Sequence, residues 1–128
     1  METIHVAITD DESLFRKGLV MLIEDEEDIE VVFEAENGQA LLDQLQNADR
    51  LPDVILLDLQ MPVLNGVETT KRLQKEFPDI KIVILTTHYN KGFIINMIEL
   101  GAASYLPKNT EPDVMMSTLR EVASRGFY

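Results

Sequence analysis

Short apolar runs alternate along the chain with amphipathic stretches, and the two periods separate strands from helices. Residues 4–9 (Ile-His-Val-Ala-Ile-Thr) read as a strand, and 13–24 set Phe15, Leu19 and Leu22 at helical spacing. Residues 29–35 alternate and are rich in valine, a second strand, while 38–47 place Leu41 and Leu45 one helical turn apart. Val54-Ile55-Leu56-Leu57 is a continuous apolar run, the pattern of a strand covered on both faces. Residues 67–77 carry Val67, Thr70, Leu73 and Phe77 on one helical side. That helix stops at Pro78, because the residue before a proline is steered away from helical geometry. Residues 81–86 form a strand, 91–100 a helix punctuated by Gly101, 104–106 a short strand, and 113–124 a last helix preceded by Pro112.

Five βα units in alternation predict an α/β fold, a (βα)5 doubly wound parallel sheet with helices on both faces, since crossovers between parallel strands are right-handed. Pro107 ends the last strand, which suits an edge better than the middle of a sheet. The expected strand order is 2-1-3-4-5, the flavodoxin-like arrangement, whose binding crevice lies at the carboxyl ends of the strands.

With 128 residues, residues 1–128 make one domain with a single core. The absence of cysteine excludes disulfides, thiolate metal sites and cysteine nucleophiles, and it suits a cytoplasmic location. The chain starts without a basic, apolar leader, and no apolar run is long enough to span a membrane, so no membrane association is expected. A formal net charge of −12 repels nucleic acid phosphates, so no nucleic acid should bind this domain itself.

The strand ends carry the candidate chemistry. Asp10 and Asp11 follow the first strand, Asp58 ends the third, Thr86 ends the fourth, and Lys108 follows the fifth. In the expected order, three carboxylates, a hydroxyl and an ammonium converge on one crevice. Clustered carboxylates must be relieved by protonation or a cation, and an oxygen-only set favours a hard ion such as Mg²⁺. A divalent ion with Lys108 opposite would clamp a phosphoryl group, Thr86 would add a hydrogen bond, and Asp58 is the natural nucleophile. Each part has a plainer reading: the acidic pair could cap the next helix, Asp58 could be a turn residue, Thr86 a β-former and Lys108 a surface lysine.

Taken together, the residues resemble the response-regulator receiver family across essentially the whole chain. The pair Asp10-Asp11, the block Asp58-Leu59-Gln60-Met61-Pro62-Val63-Leu64-Asn65-Gly66, Ile84-Leu85-Thr86-Thr87, and Gly101-Ala102-Ala103-Ser104-Tyr105-Leu106-Pro107-Lys108 match its motifs in order. The resemblance implies that Asp58 accepts phosphate from a sensor histidine kinase. It implies that Asp11 binds Mg²⁺ directly, Asp10 acts through water, and the Gln60 backbone carbonyl adds a ligand. Thr86 and Lys108 would hold phosphoryl oxygens, and Tyr105 would be the switch aromatic that follows Thr86. Gly66 should permit a backbone conformation or a close approach that a side chain would hinder. Gln60 and His88 match variable positions that tune dephosphorylation, with an exposed loop histidine the plainer reading of His88; His5 reads as a packing residue.

One departure stands out. Most receivers follow the lysine with a proline in a cis peptide, whereas Asn109 follows Lys108 here, and a looser loop is expected. Lys-Asn is typical of the NarL/LuxR transcription regulators, as is the ending Glu121-Val122-Ala123-Ser124-Arg125-Gly126-Phe127-Tyr128. A C-terminal helix-turn-helix domain that binds DNA would then follow, and phosphorylation could favour a homodimer. The alternatives are a stand-alone receiver acting by protein contacts, a haloacid-dehalogenase-type phosphatase, a flavodoxin-like electron carrier, and a degenerate receiver that never takes phosphate, against which all five site positions are filled. The phosphatase needs an aspartate where Gln60 stands, and the acidic first loop would repel a cofactor phosphate.

Overall fold

The structure is a computed structural model, and it describes residues 2–87 and 90–126. The strands are β1 (Ile4–Thr9), β2 (Ile29–Ala35), β3 (Val54–Asp58), β4 (Lys81–Thr86) and β5 (Ser104–Pro107). The helices are α1 (Ser13–Glu24), α2 (Gly38–Gln46), α3 (Gly66–Glu76), α4 (Lys91–Glu99) and α5 (Pro112–Arg125). All strand pairs are parallel, in the order β2-β1-β3-β4-β5. The (βα)5 sheet is therefore the one expected from the hydrophobic pattern, with β5 and its Pro107 at an edge.

The apolar run of β3 is buried along its whole length because it serves two cores. Ile55 and Leu57 join Leu41, Leu42 and Leu45 of α2, Leu73 of α3 and Met97 of α4 on one face. Val54 and Leu56 join Leu19 and Ile23 of α1 and Met115, Leu119 and Val122 of α5 on the other. Burying each such side chain contributes about 1.5–3 kcal/mol, so β3 is fixed from both sides and its end is a rigid platform.

Three of the five helices start at an asparagine. Asn37, Asn65 and Asn90 accept from the backbone N–H groups of Ala40, Glu68 and Phe93 at 2.8, 2.9 and 3.0 Å, satisfying donors that a helix leaves unpaired. Glu12 occupies the same position before α1, but its side chain makes no cap bond. At the far side of the sheet, Arg120 on α5 forks onto Asp28 at 2.8 and 2.9 Å and also reaches Glu26. That bond holds the Asp28 carboxyl below its usual range and ties α5 to the turn between α1 and β2. His5 keeps its ring mostly covered, with Nδ1 3.4 Å from an Asp53 oxygen, and its backbone N–H donates to Asp53 at 2.8 Å.

The loop after Asp58 gives Gly66 its reason. A Cβ there would lie 2.4 Å from the Asp58 carbonyl oxygen and 2.6 Å from Leu59 Cα. Close approach is thus what Gly66 supplies, while the left-handed conformation falls on Val63, whose φ is 69° in a tight turn closed by Leu64 N to Pro62 O at 2.7 Å. Gly66→Ala should lower stability by about 1–3 kcal/mol, because backbone rather than a flexible side-chain end must yield. Urea unfolding measures this; an unchanged midpoint would show that the loop can simply move aside.

Candidate functional site

At the carboxyl ends of the strands the chain must place several charges beside one another. Asp10 is 2% exposed and Asp58 5%, whereas Asp11 projects outward. Carboxylate oxygens of Asp10, Asp11 and Asp58 all lie within 4.8 Å of one another, and among the described residues this is the cluster suited to a metal ion. Asp10 does not cap α1: its Oδ1 accepts from the Glu12 N–H at 2.8 Å, just before the helix, and its backbone oxygen accepts from Arg16 at 2.6 Å. Asp10 thus turns the chain ahead of α1, and the residue at the cap position is Glu12.

Lys108 answers the negative charge. Its Nζ is 2.9 Å from Asp10 Oδ2 and 3.4 Å from Asp58 Oδ2, and it donates to Glu12 Oε1 as well. The ammonium also lies 4.7 Å above the Phe15 ring centroid, a cation–π contact from α1. Burial alone would lower the Lys108 pKa, but Asp10, Glu12 and Asp58 together hold it above its ordinary value. Asp58 shifts the other way: burial first, then the neighbouring Asp10 charge, push its carboxyl up to about 6, against the pull of Lys108 and the Gln60 N–H at 3.4 Å.

The remaining predicted residues surround this centre. Thr86 is buried at the end of β4, and its carbonyl accepts from Lys108 N at 3.0 Å. It borders a cavity of about 570 Å³ with Glu12, Phe15 and Lys108. Gln60, Asp11 and Phe93 line a second, largely apolar cavity of about 610 Å³ beside the cluster. Tyr105 is 6% exposed on the edge strand, paired in register with Ile84, and belongs to the same core as Met97 of α4. His88 lies outside the described residues. In the turn after Lys108, Thr110 donates to the Pro107 carbonyl from both N, at 3.1 Å, and Oγ1, at 2.5 Å.

Sequence reasoning did not assign Glu12 or Phe15 to this site. Phe15 carried only a helical-core signal, and the Glu12 contact crosses 96 positions of sequence, so no local pattern announces it.

A buried aspartate, two flanking acidic residues and an anchored lysine at the strand ends of a doubly wound sheet are the features of a two-component signalling receiver. Residues 6–120 match the family described as response regulator receiver domain, and the chain belongs to that family. The transcriptional regulatory protein DegU of Brevibacillus brevis is 34% identical over 125 residues, covering 98% of this chain and 52% of that protein. YdfI of Bacillus subtilis, another transcriptional regulatory protein, is 41% identical over 124 residues, covering 94% and 55%. The chain thus spans about half the length of the curated relatives it matches. The signal receiver domain of NarL from Mycobacterium tuberculosis superposes with a TM-score of 0.90 at 26% identity, covering 98% of this chain and 99% of that one. The isolated receiver domain of RcsB from Salmonella enterica, with phosphomimetic BeF3−, gives 0.89 at 25% identity, covering 99% and 93%. These relatives are NarL/LuxR-type response regulators, the subfamily the Lys108-Asn109 pair points to.

The raised Asp58 pKa makes a stability prediction with a definite sign. The fold favours the neutral carboxyl, so this group's contribution is fully present below its ordinary value of 3.8 and is lost as pH rises through about 6. In chelator at pH 8, Asp58→Asn should therefore be more stable than the parent by roughly 1–3 kcal/mol, with the gap closing by about pH 4. Urea unfolding at the two pH values tests it, and equal stability at both would show that Lys108 already neutralises the buried charge.

Proposed function

We propose that Asp58 is the phospho-acceptor of this receiver domain, and that histidine-kinase phosphohistidine is its physiological donor. The observation that carries the reading is the placement of a buried carboxylate between two acidic neighbours and 3.4 Å from the ammonium of Lys108. Receiver domains of response regulators are phosphorylated by histidine kinases and bind Mg²⁺.

Chemically, an Asp58 carboxylate oxygen attacks phosphorus, the new O–P bond forms as the P–N bond to the imidazole breaks, and the imidazole leaves with that electron pair. Lys108 stabilises the charge on the transferring oxygens, and the Thr86 hydroxyl holds one of them once it is attached to Asp58. The donor set fits a hard cation: oxygens only, within 4.8 Å of one another, around a carboxylate whose burial leaves its charge poorly satisfied. Asp10, Asp11, Asp58 and the Gln60 backbone carbonyl would hold Mg²⁺, which when bound supplies positive charge against the phosphoryl oxygens.

The output follows from where the added charge sits. An aspartyl phosphate draws Thr86 towards it, and Tyr105, beside β4 on the edge strand, repacks against α4. In a regulator built like these relatives, this change would favour a homodimer and control transcription through a DNA-binding domain. The chain is a signalling switch whose own residues catalyse only its phosphorylation and dephosphorylation.

Intact-protein mass after incubation with acetyl phosphate tests the reading directly. The parent should gain one phosphoryl mass only when Mg²⁺ is present, and Asp58→Ala should gain none. Lys108→Ala should slow the gain by at least about 100-fold, the scale of losing one preorganised charge at a transition state. A gain that survives Asp58→Ala would place the acceptor elsewhere.

A further inference from the structure

We propose that Glu12 is a built-in competitor for the phosphoryl group, its carboxylate holding in the resting protein the ammonium hydrogen of Lys108 that a phosphoryl oxygen must take. The inference rests on the phospho-acceptor reading of Asp58 and adds a residue to it.

A lysine ammonium has three hydrogens to donate and no more. Asp10, Asp58 and Glu12 each lie within ion-pair reach of Nζ, so three carboxylates already face the three hydrogens. An incoming phosphoryl oxygen must displace one of them. Asp58 gives up its charge only as its bond to phosphorus forms, so it still holds its place 3.4 Å from Nζ while the donor approaches. Asp10 cannot easily withdraw either: its side chain is 3% exposed, and its other oxygen and its carbonyl are bonded to Glu12 N and Arg16. Glu12 is different, with a side chain 60% exposed that can swing into water.

Two further features make this contact specific. Glu12 stands at the start of α1, where a side-chain oxygen commonly caps the helix, yet its carboxylate makes no cap bond and is spent on Lys108 instead. Meanwhile Phe15, one turn along α1, keeps the ammonium in place from below at 4.7 Å, so Lys108 need not follow when Glu12 leaves. Both residues border the cavity through which Lys108 is reached. A phosphoryl group carries more charge than a carboxylate and wins the exchange, but only after the resting pair opens.

The test compares Glu12→Gln, which keeps the length and removes the charge, with Glu36→Gln. Glu36 is an exposed acidic residue in the loop after β2, at the same end of the sheet, and controls for a general gain in attraction of an anionic donor. Phosphorylation by acetyl phosphate, in saturating Mg²⁺ and at physiological ionic strength, is followed by intact mass. Glu12→Gln should raise the rate about three- to fivefold over both the parent and Glu36→Gln, the scale of opening one partly exposed ion pair. Lysine-specific acylation read by peptide mapping should show Lys108, and no other lysine, modified several-fold faster in Glu12→Gln. Equal rates for Glu12→Gln and Glu36→Gln, or a slower Glu12→Gln, overturn the proposal, the slower case making Glu12 a positioning residue for Lys108. If none of the proteins gains phosphate while Lys108 acylation still rises, the phospho-acceptor reading fails and the competition falls with it, leaving only the ion pair.

Discussion

Negative charge buried at one end of the sheet is the constraint around which this domain is arranged. Asp10 and Asp58 are both nearly inaccessible to water, and Asp11 approaches them from the rim. Such a cluster is unfavourable unless something answers it, and in this structure the answer is the Lys108 ammonium. The compensation is incomplete, since the Asp58 carboxyl remains pushed up to about 6 by its burial and by Asp10. A site in that condition stabilises added positive charge or the conversion of one carboxylate to something else. The phospho-acceptor proposal uses both.

The sheet makes this tension affordable by holding the groups rigidly. β3 is packed from above and below, so Asp58 cannot move away from Asp10 by bending the strand. Gly66 lets the chain fold back against the Asp58 carbonyl, with its own N–H donating to Leu59 O at 2.8 Å. On the other side, Lys108 N donates to Thr86 O, and Thr110 closes the turn that follows. Without a proline after Lys108, a hydroxyl and an amide on one carbonyl close the turn.

What the sequence made legible is what periodicity and chain order govern. The ten elements follow from alternation, and an edge position for Pro107 with a flavodoxin-like order brings Asp10, Asp11, Asp58 and Lys108 together. Boundaries moved by a residue or so where capping chemistry decided them, as when Asn65 started α3 at Gly66 and Pro112 opened α5. Long-range choices of flexible side chains were not legible. Nothing local distinguishes Glu12 reaching Lys108, or Arg120 reaching Asp28, from the same residues extended into solvent. The positive φ at Val63 was also hidden, because a β-branched residue is the last type that turn chemistry would select.

The two cores also bear on how a change at Asp58 could be read elsewhere. Lys108 is bonded towards α1, through Glu12 and Phe15, and its backbone is bonded to β4 at Thr86. Phe15 packs with the α1–α5 core, whereas Tyr105, next to β4, belongs to the core that includes α4. Under the phospho-acceptor proposal, a phosphoryl group that recruits Lys108 and Thr86 therefore alters bonds on both sides of the sheet at once. Packed cores do not deform continuously, so such a change favours one discrete packing over another rather than a graded drift. Under that proposal, a single lysine bonded to α1 through its ammonium and to β4 through its backbone couples the acidic pocket to two separate helical surfaces.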